Sequence, residues 1–170
     1  MFEDIGMLIT QEIGRTAIPL GEIALRLGLA ALLAGILGLE REVRGRAAGL
    51  RTHMLVSLAA ATFTVGALEL LYWAEELDKG VAQIDPARAL EAITAGVAFL
   101  AAGTIIRSGE RARGLTTGAG MWLAGSVGLV AGMGLYAFAV VATLIGLVVL
   151  HVLRWLEGLA ETKPRRKWKE

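Results

Sequence analysis

Two short stretches rich in arginine and glycine hold most of the side chains that could bind or neutralise a charged group. The first, REVRGRAAGLRTHM, covers residues 41–54, and the second, GERARGLTTGAGM, covers residues 109–121. Arg46–Thr52 aligns with Arg111–Thr117 at a constant offset, with five of seven residue types identical. The match favours an internal repeat; the alternative is convergence, because basic turns are common on the cytoplasmic side of membrane proteins.

Both stretches predict a helix start that attracts anions. Thr52, and either Thr116 or Thr117, stand where an N-cap side chain would accept the first free backbone amides. A helix N-terminus flanked by arginines favours negative charge, so a lipid headgroup, a phosphate or the chain's own glutamates would fit there. The plainer interpretation is that the arginines only orient the chain and contact lipid phosphates. The predicted cluster comprises Glu40, Arg41, Glu42, Arg46, Gly49, Arg51, Thr52, His53, Arg107, Arg111, Gly114, Thr116 and Thr117.

Glu40 is predicted to end the first apolar helix, where the helix dipole disfavours an anion. It therefore needs a cation, most simply Arg44, Arg51 or Arg107, and we expect the last two to lie close to it. Magnesium ligation by Glu40 and Glu42 is the sharper alternative, because Mg²⁺ prefers carboxylate and water oxygens. Two acids among so many arginines form a poor cation site, so the sequence predicts no metal or other cofactor there.

Two charged residues are predicted to lie inside the apolar segments. The helical rise places Arg26 and Glu69 roughly 10 Å below the same membrane surface, and charges at depth are costly and usually paired. We therefore predict a pair between them; Glu22, one turn before Arg26, is another possible partner, and snorkelling to the interface is a third outcome. His53 and His151 have no catalytic companions in sequence, so a structural or interfacial role is favoured for both.

The composition indicates a membrane protein. Of the 170 residues, 55% are hydrophobic and 19% charged, and the mean hydropathy is +0.61. A soluble domain of this length needs more polar surface. The absence of cysteine excludes disulfide and thiolate chemistry. A membrane-spanning helix needs about 20 apolar residues, and the segments that approach this length are Pro19–Leu39, Met54–Ala74, Ala89–Ile106, Thr117–Met133 and Leu135–Trp155.

The distribution of charge predicts the orientation of these five helices. Both basic turns and the C-terminal tail carry lysine and arginine, whereas the opposite loops are acidic, so the turns should be cytoplasmic and the N-terminus outside. Residues 1–18 are predicted to be an interfacial segment, 19–155 the five-helix transmembrane domain, and 156–170 a basic cytoplasmic tail. The acidic N-terminus lacks a basic region, so we expect no cleaved signal peptide.

The repeated turn predicts an all-α membrane fold with internal symmetry. Helices one and two would resemble helices three and four in the same orientation, related by a pseudo-twofold axis along the membrane normal. The two basic turns would then lie side by side, with Gly49 and Gly114 permitting the sharp reversals. Small residues recur every four positions in several helices, as at Gly120, Ala124 and Gly128, and this spacing permits close helix packing in lipid.

The strings GLEREVRGRAAGLRTHMLVSL and GVAFLAAGTIIRSGERARGLTTGAGMWLAGSVGLVAGMGLY closely resemble the MgtC/SapB family of bacterial inner-membrane proteins. The resemblance covers about residues 20–153. Family members usually carry glycine where this chain has Ala98 and Ala101. The family's signature positions correspond here to Glu40, Arg41, Glu42, Gly45, Gly49, Leu50, Arg51, Thr52, His53, Gly103, Thr104, Ile105, Gly114, Leu115, Thr116, Thr117 and Trp122.

The resemblance implies a multi-pass inner-membrane protein that is not an enzyme. It implies a link to magnesium-limited growth and, in pathogens, to survival inside host cells. The implied mechanism is regulation of a membrane partner, including the proton-translocating ATP synthase; the alternative is a small transporter or channel for magnesium or another solute. We also expect a homo-oligomer, with a dimer favoured, in contact with lipid and not with nucleic acid. Some members continue into a soluble C-terminal domain, and functions that need it are expected to be absent from this chain.

Overall fold

The computed structural model describes residues 16–77, 85–108 and 111–160. Most of the predicted interfacial segment at 1–18 and of the basic tail at 156–170 lies outside the described residues. Within the described ranges the chain forms helices and one short β-hairpin. The helices are α1 (Leu20–Val43), α2 (Leu50–Leu77), α3 (Pro86–Gly103), α4 (Leu115–Gly132) and α5 (Tyr136–Ala160), and the strands are β1 (Ile106–Ser108) and β2 (Arg111–Arg113).

The five predicted helices are all present, and several are long enough to cross a membrane. In the described part of the chain, three helices meet that requirement by length and composition, namely Leu20–Val43, Leu50–Glu75 and Leu115–Gly132. The segment Tyr136–Val152 of α5 is a shorter apolar helix. The chain therefore has the apolar helices of a membrane protein.

Helix α1 is longer than the apolar run that predicts it. It continues four residues past Leu39, so the signature acids and Arg41 lie on the helix and not in the turn. A Schellman arrangement ends it, in which the Arg46 amide donates to the Arg41 carbonyl at 3.1 Å and the Gly45 amide to the Glu42 carbonyl at 2.9 Å. Gly45 has a φ of +63°, which glycine adopts without steric cost. The sharp reversal of the first turn is therefore at Gly45 and not, as predicted, at Gly49.

The second basic turn contains an antiparallel β-hairpin that the sequence did not predict. Ile106 pairs with Arg113 and Arg107 with Ala112. The pairing supplies partners to backbone groups that neither α3 nor α4 can satisfy. Gly114 follows with a φ of +87°, which confirms the expected glycine-dependent reversal.

Helix α4 lies at the centre of the bundle. Its apolar span is 56% buried, compared with 28% for α1 and 33% for α2. Helices α1 and α2 pack against each other and against α4, α5 packs on α1 and α4, and α3 packs mainly on α4. The main core cluster includes Leu37 of α1, Ala61 of α2, Val127 and Ala131 of α4, and Ala139 of α5.

Helices α2 and α4 run parallel and touch through their backbones, at a contact that we call the α2–α4 seam. A Cβ atom added at Gly128 would overlap the carbonyl group of Ser57, and one added at Gly132 would lie 2.8 Å from the Ala61 carbonyl oxygen. No larger side chain fits at these positions without moving the helices apart. The seam therefore depends on the glycines of α4.

On its other side α2 meets α3 less closely. An apolar groove of about 430 Å³ separates them, lined by side chains that include Val56, Phe63, Ile93 and Leu100. We call it the α2–α3 groove.

Candidate functional site

The C-terminal end of α1 and the N-terminal ends of α2 and α4 meet at one end of the bundle, which we call the turn end. Close backbone approach makes this possible: a Cβ atom at Gly38 would lie 2.9 Å from both the Gly49 carbonyl oxygen and the His53 Cβ. Residues from both basic stretches come together there. We call them the motif cluster, and its members are Glu40, Arg41, Glu42, Gly49, His53 and Thr117.

Arg41 joins α1 to α4. Only 4% of its surface is exposed, and its Nη2 donates to the Thr117 hydroxyl oxygen at 3.0 Å. Thr117 is equally buried. A hydrogen bond from a charged donor in a buried setting is stronger than a neutral one. This contact therefore fixes the start of α4 against the end of α1, across 76 residues of sequence.

Each signature glutamate of α1 has a partner at the turn end. Glu40 Oε1 lies 2.6 Å from Arg44 Nε, one helical turn away, and the other oxygen, Oε2, is buried without a hydrogen bond from the described residues. Glu42 Oε2 accepts the Leu50 amide at 2.7 Å. A Cβ atom at Gly49 would collide with the Glu42 carboxylate, so glycine there leaves space for this bond. Glu40 is thus neutralised by Arg44, the first of the three partners that the sequence allowed.

His53 is completely buried on α2. Its Nδ1 lies 2.9 Å from the Gly49 carbonyl oxygen, as fits an Nδ1–H that donates to this oxygen. Its Nε2 is buried and has no hydrogen-bond partner among the described residues. This nitrogen faces α4, because a Cβ atom at Gly120 would lie 3.3 Å from it. The imidazole therefore has one anchored nitrogen and one nitrogen directed at the neighbouring helix.

The predicted threonine caps are not present. Thr52 does not cap α2, and neither Thr116 nor Thr117 caps α4. Helix α2 begins at Leu50, so Thr52 lies inside its first turn, and the Glu42 carboxylate accepts the Leu50 amide. At α4 the N-cap residue is Gly114, which offers no side chain to its amides. Thr117 instead accepts from Arg41.

The remaining predicted residues lie outside the motif cluster. Arg46, Arg51 and Thr116 are exposed, and Thr52 is half-buried. Arg107 is exposed on β1, and the side chain of Arg111 lies outside the described residues. The exposed arginines Arg46, Arg51 and Arg113 give the turn end a cationic exterior, which we call the arginine surface.

At the opposite end of the bundle, Arg26 and Glu69 have separate partners. Arg26 Nε bonds Glu22 at 3.0 Å, and its Nη1 donates to the Gly132 carbonyl at 2.9 Å, near the end of α4. Glu69 accepts the amides of Ala17 and Ile18 at 2.8 and 2.7 Å. The predicted pair therefore does not form, because Glu22 is one turn from Arg26 on the same helix and Glu69 binds the backbone before α1.

Sequence reasoning missed two further polar contacts. Tyr136 of α5 donates its hydroxyl to Glu22. Ser57 Oγ, fully buried on α2, donates to the Ala30 carbonyl of α1 at 2.8 Å. Ser57 carried one usable signal: it lies one turn after His53, so the two share a helix face.

The sequence model of the MgtC family matches residues 27–159. The "Putative magnesium transporter YhiD" of Escherichia coli strain K12 is 36% identical over 135 residues, which cover 79% of this chain and 62% of the relative. The protein MgtC of Brucella abortus is 39% identical over 149 residues, covering 88% and 58%. The protein SapB of Bacillus subtilis is 33% identical over 136 residues, covering 79% and 58%.

The chain spans about three fifths of the length of these curated relatives. No solved structure matches it significantly.

Proposed function

Since the chain belongs to the MgtC family, we propose that it is a multi-pass inner-membrane protein that acts in magnesium homeostasis by regulating a membrane partner. The names of its relatives support the link to magnesium, and its apolar helices support the membrane location. The partner would be a membrane assembly such as the proton-translocating ATP synthase. The acting form would be a homodimer without catalytic activity.

The proposed topology places the turn end in the cytoplasm and the N-terminus outside. Support comes from the arginine surface at the turn end, since positive loops remain cytoplasmic. At the opposite end, Glu75 and Asp85 are exposed. The proposed pseudo-twofold repeat is supported by helix directions: α1 and α2 are antiparallel, α3 and α4 are antiparallel, and α2 runs parallel to α4.

One observation favours regulation over transport: each acidic side chain of the motif cluster has one carboxylate oxygen engaged by a partner within the chain. Glu40 pairs with Arg44, and Glu42 accepts the Leu50 amide. A hydrated Mg²⁺ ion is best held by carboxylates that are free to accept from its waters. The described residues also contain no group of three His, Asp or Glu side chains arranged to hold a metal ion. The signature residues thus hold the helices together and contribute to an exposed cationic surface that suits a partner.

Growth at low magnesium tests this proposal in a bacterium that lacks its own family member and depends on the introduced chain. Arg51→Ala removes an exposed charge from the arginine surface, and Glu40→Gln removes the charge that Arg44 neutralises. Both variants should insert into the membrane at normal levels and fail to restore growth. Arg88→Ala is the matched control, because Arg88 is also exposed but lies at the opposite end. Normal growth with both variants would contradict the proposal.

Transport is the second candidate, favoured by the name of the Escherichia coli relative, a putative magnesium transporter. Purified protein in liposomes that enclose a magnesium-sensitive dye separates the two. Regulation predicts no protein-dependent magnesium flux. A flux that depends on the protein, and that a matched liposome without protein lacks, would support transport.

A further inference from the structure

The buried imidazole of His53 has one nitrogen, Nε2, that receives no hydrogen bond from the described residues of the motif cluster. Buried polar groups almost always have hydrogen-bond partners, and leaving one without a partner costs free energy. His53 Nε2 is such a group within the described part of the chain, on a residue with 0% exposure. The anchoring of Nδ1 at the Gly49 carbonyl makes Nε2 the acceptor of a neutral ring.

The charged groups around His53 come from the helices packed against it. Helix α1 contributes Glu40, paired with Arg44, and the buried guanidinium of Arg41. On α2 the nearest charge is Arg51, which is exposed. Helix α4, which faces Nε2, has no titratable residue in its sequence. A positive charge on the ring would therefore lie near the Arg41 guanidinium, which repels it, near the Glu40 carboxylate, which attracts it and is already paired with Arg44, and against an uncharged glycine surface.

We propose that His53 is a proton-binding site that couples acidification to the separation of α2 from α4 at the turn end. The neutral ring fits the packed seam, where Gly120 leaves just enough room for it. A second proton creates a charge that needs water or another acceptor, and burial without one is costly. Water reaches Nε2 only if α4 moves away, so protonation favours the separated state. Unperturbed imidazole changes charge at about pH 6.5.

The same movement would break the contact between Arg41 and Thr117, because Thr117 lies on α4 one turn from Gly120. The proton would thus release the start of α4 from both α1 and α2. This inference is independent of the proposed function, since it concerns how the bundle responds to pH and not what the bundle binds.

Distance measurements between spin labels test the movement. The chain has no cysteine, so Leu55→Cys on α2 and Leu115→Cys on α4, both exposed, give one label pair in each chain. Dilution with unlabelled protein in lipid nanodiscs restricts the measurement to distances within a chain. Between about pH 8 and pH 5 the distance should increase by a few ångströms. His53→Gln should abolish the increase, and His151→Gln, at the other histidine, should preserve it. No increase, or an increase that survives His53→Gln, would overturn the proposal.

Imidazole nitrogen NMR provides a second measurement that leaves His53 intact. In the His151→Gln protein the signal comes from His53 alone. Protonation of Nε2 on acidification, together with a shift of the Gly120 amide, supports the proposal. A ring that keeps one protonation state over this range overturns it, even if His53→Gln fails to fold.

Discussion

Helix α2 takes part in two very different interfaces, and the difference shows what small residues do in this bundle. At the α2–α4 seam a Cβ atom at Gly128 would overlap the Ser57 carbonyl. At the α2–α3 groove nothing lies within 4 Å of a Cβ atom placed at Gly96. Both α3 and α4 have small residues at four-residue spacing, yet only α4 reaches the backbone of α2. The spacing permits close approach and does not cause it.

Hydrogen bonds around the α2–α4 seam distinguish it from the α2–α3 groove. Ser57 directs its hydroxyl to the Ala30 carbonyl of α1, which leaves the backbone of α2 open to α4. At the turn end Arg41 ties α1 to the start of α4. Helix α4 is thus held from two sides, whereas described residues of α3 and α2 make no hydrogen bond across the groove that would close it.

Matched alanine substitutions give the largest expected difference between the two interfaces. Gly128→Ala should lower the free energy of unfolding in detergent by about 3 kcal/mol, because the added methyl group meets backbone that cannot rotate away. Gly96→Ala should raise it by up to about 1 kcal/mol, because alanine is the better helix former and the space is open. Reversible chemical unfolding in detergent measures both free energies. Equal effects would remove the distinction between seam and groove.

The bond between Arg41 and Thr117 should have the next largest effect. In a double-mutant cycle with Arg41→Met and Thr117→Val, we expect a coupling free energy of about 1.5–3 kcal/mol, the range for hydrogen bonds to charged groups. Chemical unfolding of the four proteins gives the value. The control cycle pairs Thr117→Val with Arg51→Met, which should be additive because Arg51 is exposed. A coupling near zero for Arg41 would mean that packing alone holds α4.

The Glu42 cap should have the smallest effect. Glu42→Ala leaves the Leu50 amide without its acceptor, and loss of a helix cap costs about 1 kcal/mol. Faster hydrogen exchange at the first amides of α2, with the seam amides unchanged, would identify the loss as local. Arg46→Ala, in the same exposed turn, is the control and should leave this exchange as it is. Slower or unchanged exchange in Glu42→Ala would contradict the assigned cap.

The positions of the five helices follow from the sequence because bilayer thickness sets the length of an apolar run. The ends of the helices do not follow from the sequence. Charged residues beyond the hydrocarbon can either continue the helix or form part of a loop. Helix α1 is an example: Glu40 and Arg44, one turn apart, form an ion pair past the last apolar residue. The hairpin between α3 and α4 was missed because its strands of three residues are too short to show an alternating pattern.

The two stretches that supply the motif cluster could be identified from the sequence, but which of their residues are buried together could not. Arg41 and Arg51 are the same residue type in the same stretch, yet one is buried and the other exposed. A usable signal exists once α1 is known to continue: Ala30, Ala34, Leu37 and Arg41 recur at three- and four-residue intervals and share its buried face. The partner of Glu69 could not be found in this way, because backbone amides carry no residue type.

The two contacts made by neighbouring residues of α1 differ in when they become possible during synthesis. Glu42 and Leu50 are eight residues apart, so their hydrogen bond can form as soon as the turn between α1 and α2 has left the ribosome. Thr117, the partner of Arg41, is synthesised 76 residues later. At a translation rate of about 5–20 residues per second, that delay is about 4–15 s. The turn between α1 and α2 can therefore close before the fourth helix, which carries the threonine partner of Arg41, has been synthesised.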